Sequence, residues 1–386
     1  MCPVGWFGVH FGFSGGDMEK IMQTVANIST VLDEIAPCKL AADWDNVGLL
    51  IGDKTRQIKG LMLCIDLTEA VLEEAIAAGA NMIMAYHPPI FNKISTLTPD
   101  SIVFKAIEAG VAVYSMHTAL DCAVGGTNDT LAELIGLEKL APLDRATGQN
   151  RVKIVTFAST ANTSEIMEAG FRNGAGVIGD YVDCSFVAHG IGTFCGGEYS
   201  SPAIGEPGMH EAVEESRIEM VCDEAVAPAV VDAISRAHDY EEPSIDVIKL
   251  VDMNVNIGMG RIGELAKSAS LDDILKKLKE NAGLAGAMVA DVGHKKHSKV
   301  AVGVGACGGF WKNAKAQGAT LFITGEMRHH DALAAKAAGV SVICMGHSNS
   351  ERPTLPVLAD RVKAEFPMME ISVSQNDADP FEIKSI

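Results

Sequence analysis

His117 and Asp121 form one pair, and His347 and Glu351 another, each with a carboxylate four residues after a histidine. Each pair follows an apolar run, Val111–Met116 before the first and Val340–Met345 before the second. Imidazole nitrogen and carboxylate oxygen are ligands that divalent first-row metals accept. Finding the pair twice, in matching contexts, describes two half-sites built to converge. Two ions about 3.5–4 Å apart share a water and lower its pKa, giving a nucleophile at neutral pH. The candidate ligands are His87, Asp121, His347 and Glu351. Glu351 is the best candidate for a bridge, since it follows His347 by about one turn if the chain is helical there. Imidazole and carboxylate leave Zn, Mn, Fe, Co and Ni all open, because no thiolate selects among them.

Each residue also has a plainer reading. His87, before Pro88 and Pro89, suits a structural loop; Asp121 suits a turn or cap. His117 is read behind the ligands, its imidazole orienting Asp121 or another ligand. Glu326 ends a strand where the other series carries His87, and stands equally as a general base or as a helix cap. His329 and His330 cannot both face one way; His330 is the candidate to reach the pocket, against a surface reading of both. Gly125–Asp129 is a turn and cap, or an anion site. Asp43, Asp45 and Asn46 read as a structural loop or a rim. His294 and His297, beside two lysines, read as a solvated loop.

The elements that must position these groups alternate strand and helix. Residues 18–36 read as an amphipathic helix. Strands are expected over 59–67, 81–85 and 111–116, with helices over 69–78 and 101–109. Residues 298–351 repeat the plan, with strands over 299–304, 319–324 and 340–345 and helices over 311–316 and 331–338. The segments GANMIMAYH and GATLFITGE align, as do GVAVYSMHTALD and GVSVICMGHSNSE, which reads as a duplicated α/β half. In open α/β sheets ligands gather at the carboxyl ends of strands, where these polar endings lie. The middle runs β-α-β-β-α-β, a ferredoxin-like order. Asp144–Gly148 and Asn254–Gly260 read as crossings between domains. The expected division is 1–17, a loose extension; 18–148, a first α/β lobe; 149–253, an inserted ferredoxin-like (α+β) domain; and 254–386, a second lobe completing one discontinuous core.

Composition narrows the classes. The chain has 386 residues, 48% hydrophobic, with a formal net charge of −19. That charge disfavours a broad nucleic-acid or anionic-membrane surface, since phosphate binding needs clustered Lys and Arg. No apolar stretch reaches the roughly 18 residues of a membrane span. The nine cysteines include no CxxC pair and read as reduced, buried residues of a cytoplasmic protein. No Walker A, Ser-His-Asp or zinc-ribbon spacing occurs.

DWDNVGLLIG (43–52), YHPPIF (86–91), HTALD (117–121), GGTNDTLA (125–132), GRIGEL (260–265), TGEMRHHDAL (324–333) and GHSNSE (346–351) closely resemble the Ngg-interacting-factor-three-like family. Its bacterial members carry the name GTP cyclohydrolase 1 type 2 homologue. The middle segment, with GAGVIGDYVDCSFVAHGIGTF (174–194) and DYEEPSIDV (239–247), resembles the CutA-like, PII-like insert of longer members. The resemblance implies two similar α/β lobes around a dinuclear centre and a homohexameric ring, a trimer of dimers. It implies His87, Asp121 and Glu351 on one ion, and His347 and Glu351 on the other, with the residue before His87 as their partner. That residue is Tyr86, where the commoner pattern has a second histidine, and a phenol of pKa near 10 is a poorer ligand than imidazole. A metal-dependent hydrolase acting on a nucleotide or other small molecule is the implied activity. A non-catalytic metal-binding, regulatory or chaperone-like ring is the alternative.

Overall fold

The computed structural model describes residues 23–147, 151–179, 181–250 and 253–382. The expected extension over 1–17, and the first residues of the helix expected from 18, lie outside them. That helix runs Val25–Ile35, opened by a capping box in which Thr24 and Asn27 satisfy each other's backbone N–H. Val25, Ile28 and Leu32, at helical spacing, are its buried face.

The chain divides into two compact units. One joins the residues up to Leu143 with those from Gly260 onward; the other is Asp144–Met259. The first unit holds a five-stranded sheet in the order Gly48–Ile51, Ala112–Ser115, Met82–Ala85, Gly60–Cys64 and Glu370–Val373. Its pairings are parallel except at the edge, where Gly48–Ile51 runs antiparallel to Ala112–Ser115. A six-stranded sheet has the order Met288–Ala290, Ser341–Cys344, Leu321–Thr324, His297–Gly303, Met253–Ala269 and Leu137–Thr147. Here too a parallel trio carries an antiparallel edge strand beside its third member. The two sheets share this local plan.

Apolar residues run continuously through the parallel strands because helices cover both faces. In Gly60–Cys64, Leu61 and Leu63 join one buried cluster, and Met62 and Cys64 the cluster on the opposite face. In the six-stranded sheet, Leu321 and Ile323 likewise part from Phe322. The second unit is a four-stranded antiparallel sheet, Ser185–Cys195, His210–Asp223, Arg151–Ser159, Ile245–Lys249, with helices Thr163–Arg172 and Ala227–Ala237.

The chain divides between Leu143 and Asp144 and between Met259 and Gly260, so the segments read as crossings lie where one unit passes into the other. There Asp144–Thr147 and Asn254–Gly260 are parts of the long strands Leu137–Thr147 and Met253–Ala269; Gly148 lies outside the described residues. Gly263 serves close approach, since a Cβ there would stand 2.7 Å from the Glu138 carbonyl oxygen. One expectation needs correction. His297 is not in a solvated loop: it opens a strand, is fully buried, and its Nδ1 lies 2.9 Å from Thr320 Oγ1. Burial and the neighbouring His294 lower its pKa, favouring the neutral ring.

The first unit holds a buried ion pair. Arg261 is 2% exposed. Its Nε and Nη2 donate to the two Asp129 oxygens at 2.6 and 2.8 Å, and Nη2 also donates to the Ala123 carbonyl at 2.8 Å. Asp129 in turn accepts from Gly125 N–H at 2.7 Å, so the Gly125–Asp129 segment is a turn locked by charge. Removing one partner of such a pair leaves the other charge buried and alone. Arg261→Met is expected to lower unfolding free energy by about 3–5 kcal/mol in denaturant titration, with a smaller loss in the double variant Arg261→Met/Asp129→Leu.

Candidate metal centre

Backbone pairing carries each functional side chain to a strand end. Tyr86 N–H and His87 N–H donate to Cys64 O and Ile65 O at 2.8 and 3.0 Å, extending the ladder past Ala85. His117 N–H donates to Tyr86 O at 3.1 Å, and its φ of +27° is a strained value for a residue with a Cβ. Gly346, at φ +93°, turns the chain out of the strand Ser341–Cys344 into the helix His347–Glu351. The helical spacing then puts His347 and Glu351 on one face.

Three side chains meet there. One ligand atom each from His87, His347 and Glu351 lies within 4.8 Å of the others, the only group of this kind among the described residues. Glu351 is 2% exposed, and its two oxygens are divided: Oε2 is 3.4 Å from His87 Nε2, and Oε1 is 3.3 Å from His347 Nε2. The far nitrogen of each imidazole is held by a carboxylate, His87 Nδ1 by Asp66 at 2.9 Å and His347 Nδ1 by Glu326 at 2.8 Å. His117 repeats the arrangement, with Nδ1 2.8 Å from Asp45 and its ring 5.4 Å from that of His87. A carboxylate behind each ring fixes its orientation and aims Nε2.

The donor set fits a cation on two observations. Glu351 Oε2 is buried without a hydrogen-bond partner, the approach of His87 being too long to supply one. A Cβ on Gly305 would stand 2.6 Å from Glu351 Oε1, so the glycine keeps the carboxylate's flank clear.

Asp121 lies beside this group. It is 6% exposed and accepts a short hydrogen bond from the Tyr86 hydroxyl. Burial pushes its carboxyl up to about 6; the Tyr86 bond opposes the shift and the Glu351 charge adds to it. Burial first, then the charges of Asp121 and Glu351, push the Tyr86 phenol well above its usual range. The phenol therefore stays protonated and donates to Asp121. Burial alone pulls His87 down, but the bond to Asp66 and the nearness of Glu351 overcome it and raise the imidazole to about 10. Asp66 is lowered by its bond to His87.

His330 is exposed at the start of the helix His329–Ala337, its ring 5.4 Å from that of His329 and outside the ligand group. Glu326 does not cap the helix His329–Ala337, whose N-cap is Arg328; its Oε1 lies 2.8 Å from His347 Nδ1. The His117 Nδ1 lies 2.8 Å from Asp45 Oδ1, from the loop read as a rim. Asp66 was missed. Its signal was a carboxylate just past an apolar strand run, the pattern that singled out the histidines. Asn128 was also missed: its side chain donates to Asp121 O at 3.0 Å and accepts from Val304 N–H at 3.1 Å, joining two parts of the site.

Histidines and a buried carboxylate at the carboxyl ends of parallel strands define an α/β protein with a candidate divalent-metal centre. The chain belongs to the Duf34/NIF3 (NGG1p interacting factor 3) family, which it matches over residues 23–380. It is 35% identical to a GTP cyclohydrolase 1 type 2 homolog of Halalkalibacterium halodurans, over 84% of this chain and 89% of that one. It is 32% identical to the protein of that name from Listeria innocua, over 92% and 97%. A Bacillus cereus protein related to NIF3 has a similar structure, with TM-score 0.68 and 33% identity over 94% of this chain and all of that one. A Staphylococcus aureus protein gives TM-score 0.78 at 28% identity, over 94% and 99%.

Two outcomes follow from the imidazole–carboxylate pairs. Glu326→Gln is expected to weaken divalent-ion affinity about 10- to 100-fold in isothermal titration without loss of fold. At pH 7 His87 carries a proton that a cation must displace, so affinity rises with pH, about tenfold per unit for one proton released. Below pH 6 Asp121 takes up a second proton and the slope steepens.

Proposed function

We propose that the chain is a cytoplasmic metal-dependent hydrolase of a small molecule, a nucleotide or another phosphorylated or amide-bearing compound. The observation that carries this reading is the divided carboxylate of Glu351, one oxygen toward each of two oriented imidazoles. In this reading His87, Asp121 and Glu351 hold one divalent ion, and His347 and Glu351 a second. A divalent ion held there would supply Lewis-acid polarisation of a substrate oxygen and a water acidic enough to ionise at neutral pH. The protein's own groups do the rest. Asp66 and Glu326 keep the His87 and His347 rings aimed, and Tyr86 holds Asp121 by its hydrogen bond. Asp45 holds the His117 imidazole at the rim, available to orient substrate or accept a proton.

The same proposal takes the two sheets of the first unit as duplicated α/β lobes and residues 149–253 as an inserted ferredoxin-like, PII-like domain. The strand order of the second unit, with its β-α-β-β-α-β chain order, supports the latter. Six copies, as a trimer of dimers, complete the proposed assembly. Among the described residues no helix is long and apolar enough to cross a membrane.

A second reading, a metal-binding regulator without catalysis, draws on one feature of the second unit. A cavity of about 720 Å³ there is lined by Phe157, Phe194, Glu215 and Tyr240 among others, large enough for a small ligand.

Elemental analysis of protein purified without added metal, followed by a hydrolase screen with each candidate ion, separates the readings. Under the first, His347→Ala and Glu351→Ala each lose bound ion and reduce turnover to background. Metal-free protein with intact turnover overturns it. The second predicts bound ion, no turnover across the panel, and ion content that changes when the second unit binds its ligand.

A further inference from the structure

The turn that carries Asp45 is tied on all sides. Ala42 N–H donates to Thr118 Oγ1 at 3.0 Å, and Asp45 N–H to Ala42 O at 2.9 Å. Asn46 Nδ2 reaches Ile90 O at 2.6 Å, and the Asp45 side chain is wholly buried against His117 and Thr118. Between these ties the Trp44 indole stands 62% exposed. Burying such a ring is worth considerable free energy, and here its backbone is held so that the ring stays in water.

What surrounds the indole is other rings. Phe91, itself 48% exposed, lies 5.9 Å away and tilted by 51°. The His117 ring lies 6.1 Å away, edge-on. His117 is 5.4 Å from His87, whose Nε2 is one of the three candidate ligand atoms. A path of ring contacts thus leads from solvent to the candidate metal centre. Ile94 and Leu97, on the segment that follows Phe91, are also exposed.

We propose that Trp44, with Phe91 beside it, is a stacking platform that selects substrates bearing a planar aromatic or heteroaromatic ring. In such a substrate a short spacer joins the ring to the group presented to the metal centre. The proposal rests on the metal-centre reading of the preceding subsection. A flat ring stacked on an indole gains quadrupole and dispersion contact over its whole face, more than a flexible alkyl chain does. Every planar ring has a π-face, so the platform defines a class of substrate rather than one compound. Its place in the ring path favours a small ligand over a partner protein, because a protein face on Trp44 would also crowd the imidazoles behind it.

The test uses Zn²⁺-loaded full-length protein, with AMP and ribose 5-phosphate as probes. They share sugar and phosphate, and only AMP has the ring. The chain has three tryptophans, and Trp311 is buried, so the emission lost in Trp44→Leu isolates Trp44. AMP is expected to quench that emission and, by calorimetry, to bind at least about fivefold more tightly than ribose 5-phosphate. Trp44→Leu erases the difference, Trp44→Phe keeps part of it, and both variants retain wild-type zinc content. Equal binding of the two probes, or AMP binding that leaves Trp44 emission unchanged, overturns the proposal. So does a Trp44→Leu variant with intact AMP affinity and an altered sedimentation coefficient, which makes the indole a protein–protein contact. Zinc content near zero in the wild type overturns the metal-centre reading instead. Ring preference is then read in the ion-free protein, where stacking on Trp44 needs no ion.

Discussion

The Glu351 carboxylate is the constraint around which the site is arranged. It is nearly excluded from water, and an ionised carboxylate there is costly unless its charge is met. The protonated His87 meets it. The geometry that does so is also suited to a cation, since proton and metal ion compete for the same Nε2. Around the carboxylate the packing leaves room rather than filling it: the missing Cβ of Gly305 clears one flank, and Ser350 Oγ accepts the Gly305 N–H at 2.8 Å.

Precision comes from behind the ligands. Each of three imidazoles is held at Nδ1 by a carboxylate from a different loop, so no single loop sets the geometry. Asp377, brought in by the C-terminal segment, accepts from Ile65 N–H at 2.7 Å and from Arg352 Nη1 at 2.6 Å. Ile65 adjoins Asp66 and Arg352 adjoins Glu351, so one buried carboxylate registers two parts of the site. The Arg261–Asp129 pair does the same for the loop after Asp121.

Much of this is legible in the sequence. Apolar runs ending in His or a carboxylate mark strand ends in an α/β fold; with the carboxylate four residues past a histidine, they point to His87, Asp121, His347 and Glu351, of which His87, His347 and Glu351 meet in one group. The strand–helix periodicity of the parallel trios holds in the fold because those segments are buried on both faces and repeat one plan. What escapes are pairings between distant residues. Nothing local in Tyr86 says that its hydroxyl meets Asp121, or in Glu326 that it holds His347; such bonds exist only once separate loops converge. The segments around 144–148 and 254–260 read as crossings between domains; that continuous strands, Leu137–Thr147 and Met253–Ala269, make those crossings is not local information. His297 is misread because adjacent lysines suggest solvent, while its own position is the first of a buried strand.

The strand Glu370–Val373 lies parallel to Gly60–Cys64 at the edge of the first sheet, although almost the whole chain separates them. A ribosome delivers the first partner long before the second. During that interval the early sheet has an open edge, and Asp66 waits without the Asp377 bond that fixes its neighbour. His87 is made early as well, but its partner Glu351 arrives only near the end. The three side chains of the candidate ligand group therefore come together only after the segment that carries Glu351 has been made.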